Sequence, residues 1–284
     1  MNPKLDDPQA AAPNSKLEIG LYALLFAGAA IFLFPLVWMF VTAFTHPESI
    51  TQVPPDLLGR DYTWMNFKDL FSHSEILRWL FNSTLISLAV TFFHLLFDSL
   101  AGYAFARKDF PGKTILFWAI ISLMMIPGQV IVVPLYLMMS KLHLLDSLWA
   151  VILPGLAGPF GIFLMKQYME GLPRDLEDAA RMDGCSEAGI YRHIILPLSK
   201  PVLGALGIFT FITYWNAFLW PLIVLNSASR YTLPVGLATL QSKQVLDYGL
   251  LMAGAVVAAV PMMIIFFAFQ GFFVKGIRMG ALKE

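Results

Sequence analysis

The fold class predicted by this sequence is an all-α polytopic membrane protein with six transmembrane helices, and three observations predict it. Of 284 residues, 58% are hydrophobic and 13% charged, with a mean hydropathy of +0.68, a composition well away from that of an average soluble domain. Six runs of about 20 residues are long enough to cross a hydrocarbon core of about 30 Å as helix. The alternation of apolar and polar positions that a membrane β-barrel requires is absent.

The elements follow in chain order. Residues 1–18, rich in Pro, Ala and Asp, read as a disordered tail. The first span, 19–44, is too long for a signal-peptide core and lacks a small-residue cleavage site before its end, so it is expected to remain as an anchor. An outer loop follows with Pro47, Pro54, Pro55 and the rings of Tyr62, Trp64 and Phe67; an interfacial helix is expected near 65–70, with the rings in the headgroup layer. The remaining spans are predicted at 80–106, 114–139, 147–164, 201–225 and 249–274, interrupted by Pro127, Pro134, Pro154, Pro159, Pro221 and Pro261, which predict kinks. A cytoplasmic insert at 167–200 and a tail at 275–284 complete the chain.

Basic residues are retained on the cytoplasmic side of a bilayer. With the N-terminus inside, thirteen of the nineteen Lys and Arg residues fall on the inner side and six on the outer, so both termini are expected in the cytoplasm. The net charge of zero offers no basic field for nucleic acid. The single cysteine, Cys185, lies in the insert with no second thiol to pair with, and reads as a small turn residue.

The insert carries the densest local signals. Pro173 suits a first helical turn, and Asp175, Glu177 and Asp178 place negative charge at the positive end of a helix. Gly184 suits the left-handed residue that ends it. Leu176, Ala179 and Ala180 share one face, and the alanines allow another backbone to come close. A second helix is expected after Ser186, with Ile190 and Ile194 on one face and its end at Leu196-Pro197. An amphipathic insert can lie on lipid. The acid-rich first turn argues against that here, because the inner leaflet is itself negative, and favours a soluble partner.

These residues resemble the cytoplasmic signature of the permease subunits of bacterial ATP-binding-cassette (ABC) importers: Glu-Ala-Ala, three residues, Gly, nine residues, Ile-x-Leu-Pro. Here the pattern is Asp178-Ala179-Ala180, Gly184, then Ile194-Ile195-Leu196-Pro197, with Asp in the first position and Glu177 one place before it. Runs such as Asn82-Ser83-Thr84, Gly102-Tyr103-Ala104-Phe105-Ala106-Arg107, Trp215-Asn216 with Leu219-Trp220-Pro221, and Tyr231-Thr232-Leu233-Pro234-Val235-Gly236 are similar to the carbohydrate-uptake branch and its six-span permease of maltose type.

The resemblance implies a type I importer permease fold in the bacterial inner membrane. It implies a second permease, two ATPase subunits that hold the ATP and Mg, and an extracytoplasmic solute-binding protein delivering a carbohydrate. It also implies an ATPase-coupling role for Glu177, Asp178, Ala179, Ala180, Asp183, Gly184, Leu196 and Pro197. The sequence itself has no phosphate-binding loop: Gly112-Lys113-Thr114 mimics only its end, with Arg107 at the leading glycine position. The chain is therefore expected to bind no cofactor and to catalyse no covalent chemistry. His46, His73, His94, His143 and His193 are scattered without metal-ligand spacing, so no metal is expected.

Polar groups inside lipid are costly and invite a functional reading. Asp98, the one formal charge inside a span, lies four residues after His94, so the two can pair, either as a structural contact or as part of a proton relay. Trp215, Asn216 and Trp220 sit in the outer half of the fifth span, where they can line a sugar pathway or gate, or pack against neighbouring helices. Two rivals to a sugar permease stand: an ABC permease for glycerol phosphate or an amino acid, and a self-contained carrier or channel.

Overall fold

The computed structural model describes residues 15–50, 62–243 and 247–281, and the backbone alone at 15–18, 47–48, 241–243 and 269–281. It is all-helical apart from one isolated bridge between Thr45 and Tyr62. Most of the expected N-terminal tail, and Pro54 and Pro55 of the outer loop, lie outside the described residues.

Helix α1 (Ser15–Phe44) is the first span; the short α2 (Pro47–Ile50) and α3 (Met65–His73) follow, and α4 (Ile76–Arg107) is the second span. The third bends more sharply than a proline kink. It divides into α5 (Lys113–Ser122) and α6 (Val132–Lys141), joined by two 3-10 turns, and its halves meet at 96°. The break sits at Ile126, whose φ of −85° and ψ of 116° are extended because Pro127 excludes the helical region for the residue before it.

The fourth span is also interrupted. A short α7 (Trp149–Ile152) and a 3-10 turn (Leu153–Gly155) precede three non-helical residues, and α8 (Pro159–Glu170) restarts with proline at its first position, where no N–H is needed. The insert forms α9 (Asp175–Met182), α10 (Glu187–Ile190), a π turn (Tyr191–Ile195) and α11 (Leu196–Leu198). The fifth span is α12 (Lys200–Trp215) and, after a break, α13 (Leu219–Val224). Helix α14 (Leu233–Lys243) follows. The sixth, α15 (Tyr248–Ala281), runs on past the boundary expected at 274, so the C-terminal segment continues the span helix as far as it is described.

Among the described residues, four helices are long and apolar enough to cross a membrane unaided: Ile19–Phe44, Ile76–Arg107, Trp149–Glu170 and Tyr248–Ala268. Two sharply bent pairs bring the number of candidates to six.

Helix α4 is the hub. It packs along α8 and α12, and its close approach to α8 depends on Gly102, where a Cβ would come 2.5 Å from that of Met165. One cluster, at the end of the bundle that carries the insert and is called the inner end here, joins Tyr103 and Ala106 of α4 to Met165 and Met169 of α8, Ala180 of α9, Ile190, Ile195, and Val202 and Leu206 of α12. A second cluster joins α3, the start of α4, the end of α12, and α15 through Leu70, Trp79, Phe211 and Val256. A third gathers the middle of α4, α6, α7 and the end of α13 around Ile86, Val90, Val151 and Val224. Helix α1 packs mainly on α15 and leaves Phe26, Ile31 and Phe32 exposed.

The end away from the insert is fastened by polar side chains bonded to backbone. Asn66 donates to the carbonyls of Ala43 (2.9 Å) and Thr45 (2.8 Å), Asn82 to those of Ser229 (3.0 Å) and Tyr231 (2.9 Å), and Trp79 to that of Ala228 (2.8 Å). Asp146, itself in the left-handed region, accepts the amide N–H of Asn226 (2.8 Å) and of Ser227 (2.9 Å). Partial burial opposes its charge, but hydrogen bonds from Ser227 and Asn226 outweigh that and hold its carboxyl below the usual range.

Candidate functional site

Helix α9 ends as its sequence requires. Gly184 takes φ +81°, the Cys185 N–H reaches the Ala180 carbonyl (2.9 Å) and the Gly184 N–H that of Arg181 (3.1 Å), which together satisfy the last turn. Its N-terminus has no side-chain cap, and Asp175, Glu177 and Asp178 complement the helix dipole there.

The helix presents two faces, divided differently from the expectation. Leu176, Ala179 and Ala180 were expected to share one face. Instead Leu176 and Ala179 are exposed, together with Asp178, Asp183, Gly184 and Met182, which is 88% exposed. The face turned inward consists of Ala180, in the inner cluster, and Glu177, 2% exposed. Glu177 belongs inside because charge meets it there. Its Oε1 lies 3.0 Å from Nε of Arg107 at the end of α4, and its Oε2 lies 3.3 Å from Nη2 of Arg181 one turn on. Both members of the Arg107–Glu177 pair are almost wholly out of solvent, the setting in which an unpaired charge is most costly.

Around this pair runs a more exposed network. Arg107 also donates to the Leu172 carbonyl (2.5 Å), in the turn before α9. Arg181 bonds Asp178 (2.7 Å) and Glu187 (2.9 Å), and Lys108 reaches Glu187 from the far side. The hydrogen bonds from Arg181 and then Lys108 lower Glu187 to about 2. Burial of Lys108 works against its charge, but Glu187 outweighs it and raises the lysine.

Ser186 caps α10 by accepting the Gly189 N–H (3.2 Å). The apolar face beyond it departs from the expected pairing of Ile190 with Ile194. The π turn over Tyr191–Ile195 adds a residue to the helical repeat, so Ile190 and Ile195 are the fully buried pair and Ile194 only flanks them. Nor does the helix stop at Leu196-Pro197. It continues to Leu198, the π turn making room for a proline that cannot donate to the preceding turn, and the chain then bends by 76° into α12. Leu196 is half-buried and Pro197 exposed.

Within the bilayer, His94 Nδ1 and Asp98 Oδ2 are 2.6 Å apart, and Asp98 is fully buried. Asp98 has a further partner on another span: its Oδ1 accepts the N–H of Gly158 at 3.0 Å. Gly158 precedes α8, so this carboxylate caps from outside a helix start that lies at membrane depth, where free backbone groups are costly. Three glycines make room for the side chains that meet there. A Cβ at Gly155 would strike the Tyr214 hydroxyl, one at Gly158 would come 2.9 Å from His94 Cε1, and one at Gly161 would strike Asp98 Oδ2.

The residues expected on a pathway separate. Trp215 is 2% exposed, stacks on Phe211 at 5.6 Å and donates to the Ala258 carbonyl at 3.2 Å. Of the two readings of Trp215, the geometry matches packing: α15 covers the indole and satisfies its N–H, so it faces the chain's own core. Asn216 is exposed but turns its amide back to Ile212 (2.9 Å). Trp220 is half-buried and ties α13 to α7 through the Ala150 carbonyl (3.0 Å).

Sequence reasoning had missed Arg107, Lys108, Arg181, Glu187, Gly158 and Tyr214. The available signals were an arginine closing a span, an arginine four residues after Glu177, and glycines at a spacing of three on the fourth span. Among the described residues no group of three or more His, Cys, Asp or Glu side chains is placed to hold a metal ion.

Residues 98–279 match the family model of the binding-protein-dependent transport system inner membrane component. The chain is 40% identical over 256 residues, 89% of its length and 91% of the relative's, to the arabinooligosaccharides transport system permease protein AraQ of Bacillus subtilis. It is 30% identical to the sn-glycerol-3-phosphate transport system permease protein UgpE of Yersinia enterocolitica, over 92% of this chain and 96% of that one. In fold it is similar to a chain of a bacterial ABC transporter involved in the import of the acidic polysaccharide alginate, with a TM-score of 0.83 at 23% identity, covering 94% of this chain and 100% of that chain. Permeases of this family bind no cofactor and are distinct from the ATPase subunit. With family model, relatives and fold in agreement, this chain belongs to the inner-membrane permease components of binding-protein-dependent ABC transporters.

Proposed function

We propose that this chain forms half of the translocation pathway of a carbohydrate importer, beside a second permease, with two ATPase subunits on the cytoplasmic side and a solute-binding protein outside. The observation that carries the coupling role is the division of α9. One face is fixed to its own chain by Glu177 and Ala180, while Leu176, Asp178, Ala179 and Met182 stand uncovered on the other. An apolar and acidic helix face held at a fixed height suits a cleft on a soluble ATPase. Asp183 and Gly184 close that helix, and Leu196 and Pro197 carry the chain back toward the membrane.

For cargo, the arabinooligosaccharide relative at 40% identity supports a saccharide. The glycerol-phosphate relative keeps the rival reading in play. His94 and Asp98 serve, in this reading, to hold the broken fourth span rather than to relay protons. Asn216 is the remaining candidate for the pathway.

The test is ATP hydrolysis by the native complex in liposomes, stimulated by its binding protein loaded with arabino-oligosaccharides, lactose or glycerol 3-phosphate. Stimulation by a saccharide is expected. Stimulation by glycerol 3-phosphate alone would overturn the cargo, and uptake by this chain reconstituted without an ATPase would overturn the coupling role. Both termini are placed inside in this reading, so a membrane-impermeant thiol reagent should label Cys185 only from the cytoplasmic side.

A further inference from the structure

Resting on the reading of α9 as the place where a soluble ATPase pushes, a second question is where that push goes. By sequence, α9 is joined to α8 through the turn at Leu172 and to α12 through α10 and α11. The route to α12 passes through two bends, Gly184 in the left-handed region and the 76° corner between α11 and α12, and the route to α8 is a short turn whose Leu172 carbonyl is itself held from α4. Side chains connect α9 more directly to another element. The end of α4 holds the insert before, within and after α9: Arg107 bonds the Leu172 carbonyl, Arg107 pairs with buried Glu177, and Lys108 pairs with Glu187, which Arg181 of α9 also bonds.

We infer that Arg107 and Glu177 are positioning residues that make α9 and the inner end of α4 one mechanical body, so that motion of the coupling helix enters the membrane through α4. Helix α4 then presents that motion to the fourth span at the Asp98–Gly158 contact, where α8 begins after its break. This separates two neighbouring acids. Asp178, exposed, faces the partner; Glu177, buried, faces the machine's own lever.

The experiment uses the complete native transporter in liposomes, with the variants Glu177→Gln, Arg107→Gln, Arg107→Lys and the exchange Arg107→Glu with Glu177→Arg. Glu177→Gln and Arg107→Gln are expected to copurify with the ATPase and to hydrolyse ATP while moving about tenfold less saccharide per ATP, within the usual range of coupling between linked sites. The exchanged pair should recover most of the loss, and Arg107→Lys part of it. A second measurement is independent of any variant at the pair. Spin labels on native Cys185 and on Asp109→Cys, beside Arg107, should keep one separation with and without ATP.

Saccharide moved per ATP by Glu177→Gln within about twofold of native, or an ATP-dependent change in that separation in otherwise native protein, would overturn the inference. Loss of ATPase copurification in Glu177→Gln, with no recovery in the exchanged pair, would also overturn it, by making Glu177 part of the docking face. If the native complex shows no saccharide-stimulated uptake, the functional reading fails first, and the label separation still decides the mechanical claim.

Discussion

Asp98 and Glu177 are both buried carboxylates, and helix α4 is party to both. Asp98 projects from α4 to the fourth span; Glu177 projects from the insert to the end of α4. Their surroundings differ. Asp98, at membrane depth, is met by an imidazole and a backbone N–H, in a recess kept open by Gly161. Glu177, on the insert, is met by two guanidinium groups. The difference follows from what each location permits. Guanidinium groups are tolerated where their remaining N–H groups can reach carbonyls and water, as Arg107 reaches Leu172, whereas the bilayer interior favours compact partners from neighbouring helices. One acid thus fastens a break in a span, and the other fastens a soluble-facing insert to a span.

That contrast can be broken experimentally, beginning where the effect is largest. Glu177→Ala strands Arg107 in a buried site and is expected to cost about 3–5 kcal/mol. Asp178→Ala, on the exposed face of the same helix, should leave stability nearly unchanged; thermal unfolding of the purified protein in detergent compares the two. Equal losses would remove the distinction between the faces. Asp98→Ala should cost less, about 1–3 kcal/mol in all, because His94 and the Gly158 N–H lose an acceptor rather than a full counter-charge. Asp98→Asn keeps an acceptor and should recover part of that loss. If Asn and Ala behave alike, the carboxylate is not capping α8.

Gly161→Ala sharpens the same point from the other side. Its added methyl would strike Asp98, so a loss of about 1–3 kcal/mol is expected, while paired with Asp98→Ala the added cost should shrink. The smallest effect belongs to Glu187. Its folded-state value of about 2 lies below the ordinary 4.5, so its contribution is present above about pH 4.5 and is lost as the pH falls toward 2. Unfolding profiles of native protein and Glu187→Gln should therefore converge across that window. The difference will be small because the network is half-open to water.

How far the site could be read from sequence varied by residue. Gly184 was legible because a left-handed helix end needs a residue without Cβ, and His94 with Asp98 because four residues is one helical turn. The inward turn of Glu177 was not legible: Leu176 and Ala180 look like the apolar stripe, and only the position of Arg107, seventy residues earlier, makes a charged face the buried one. Trp215 looked like a sugar platform by residue type, yet α15 covers it. Ile195 replaced Ile194 in the core because Pro197 shares its helix with a π turn that shifts the repeat by one.

Local chemistry alone determined the number and approximate position of the apolar segments, the acid-rich helix and its glycine stop, and the family signature, since hydrophobic length and turn preference are properties of contiguous residues. Tertiary structure decided what each segment does with its polar groups. Which acid faces inward and which glycine admits a carboxylate depend on side chains that are far apart in the chain, and only packing brings them together.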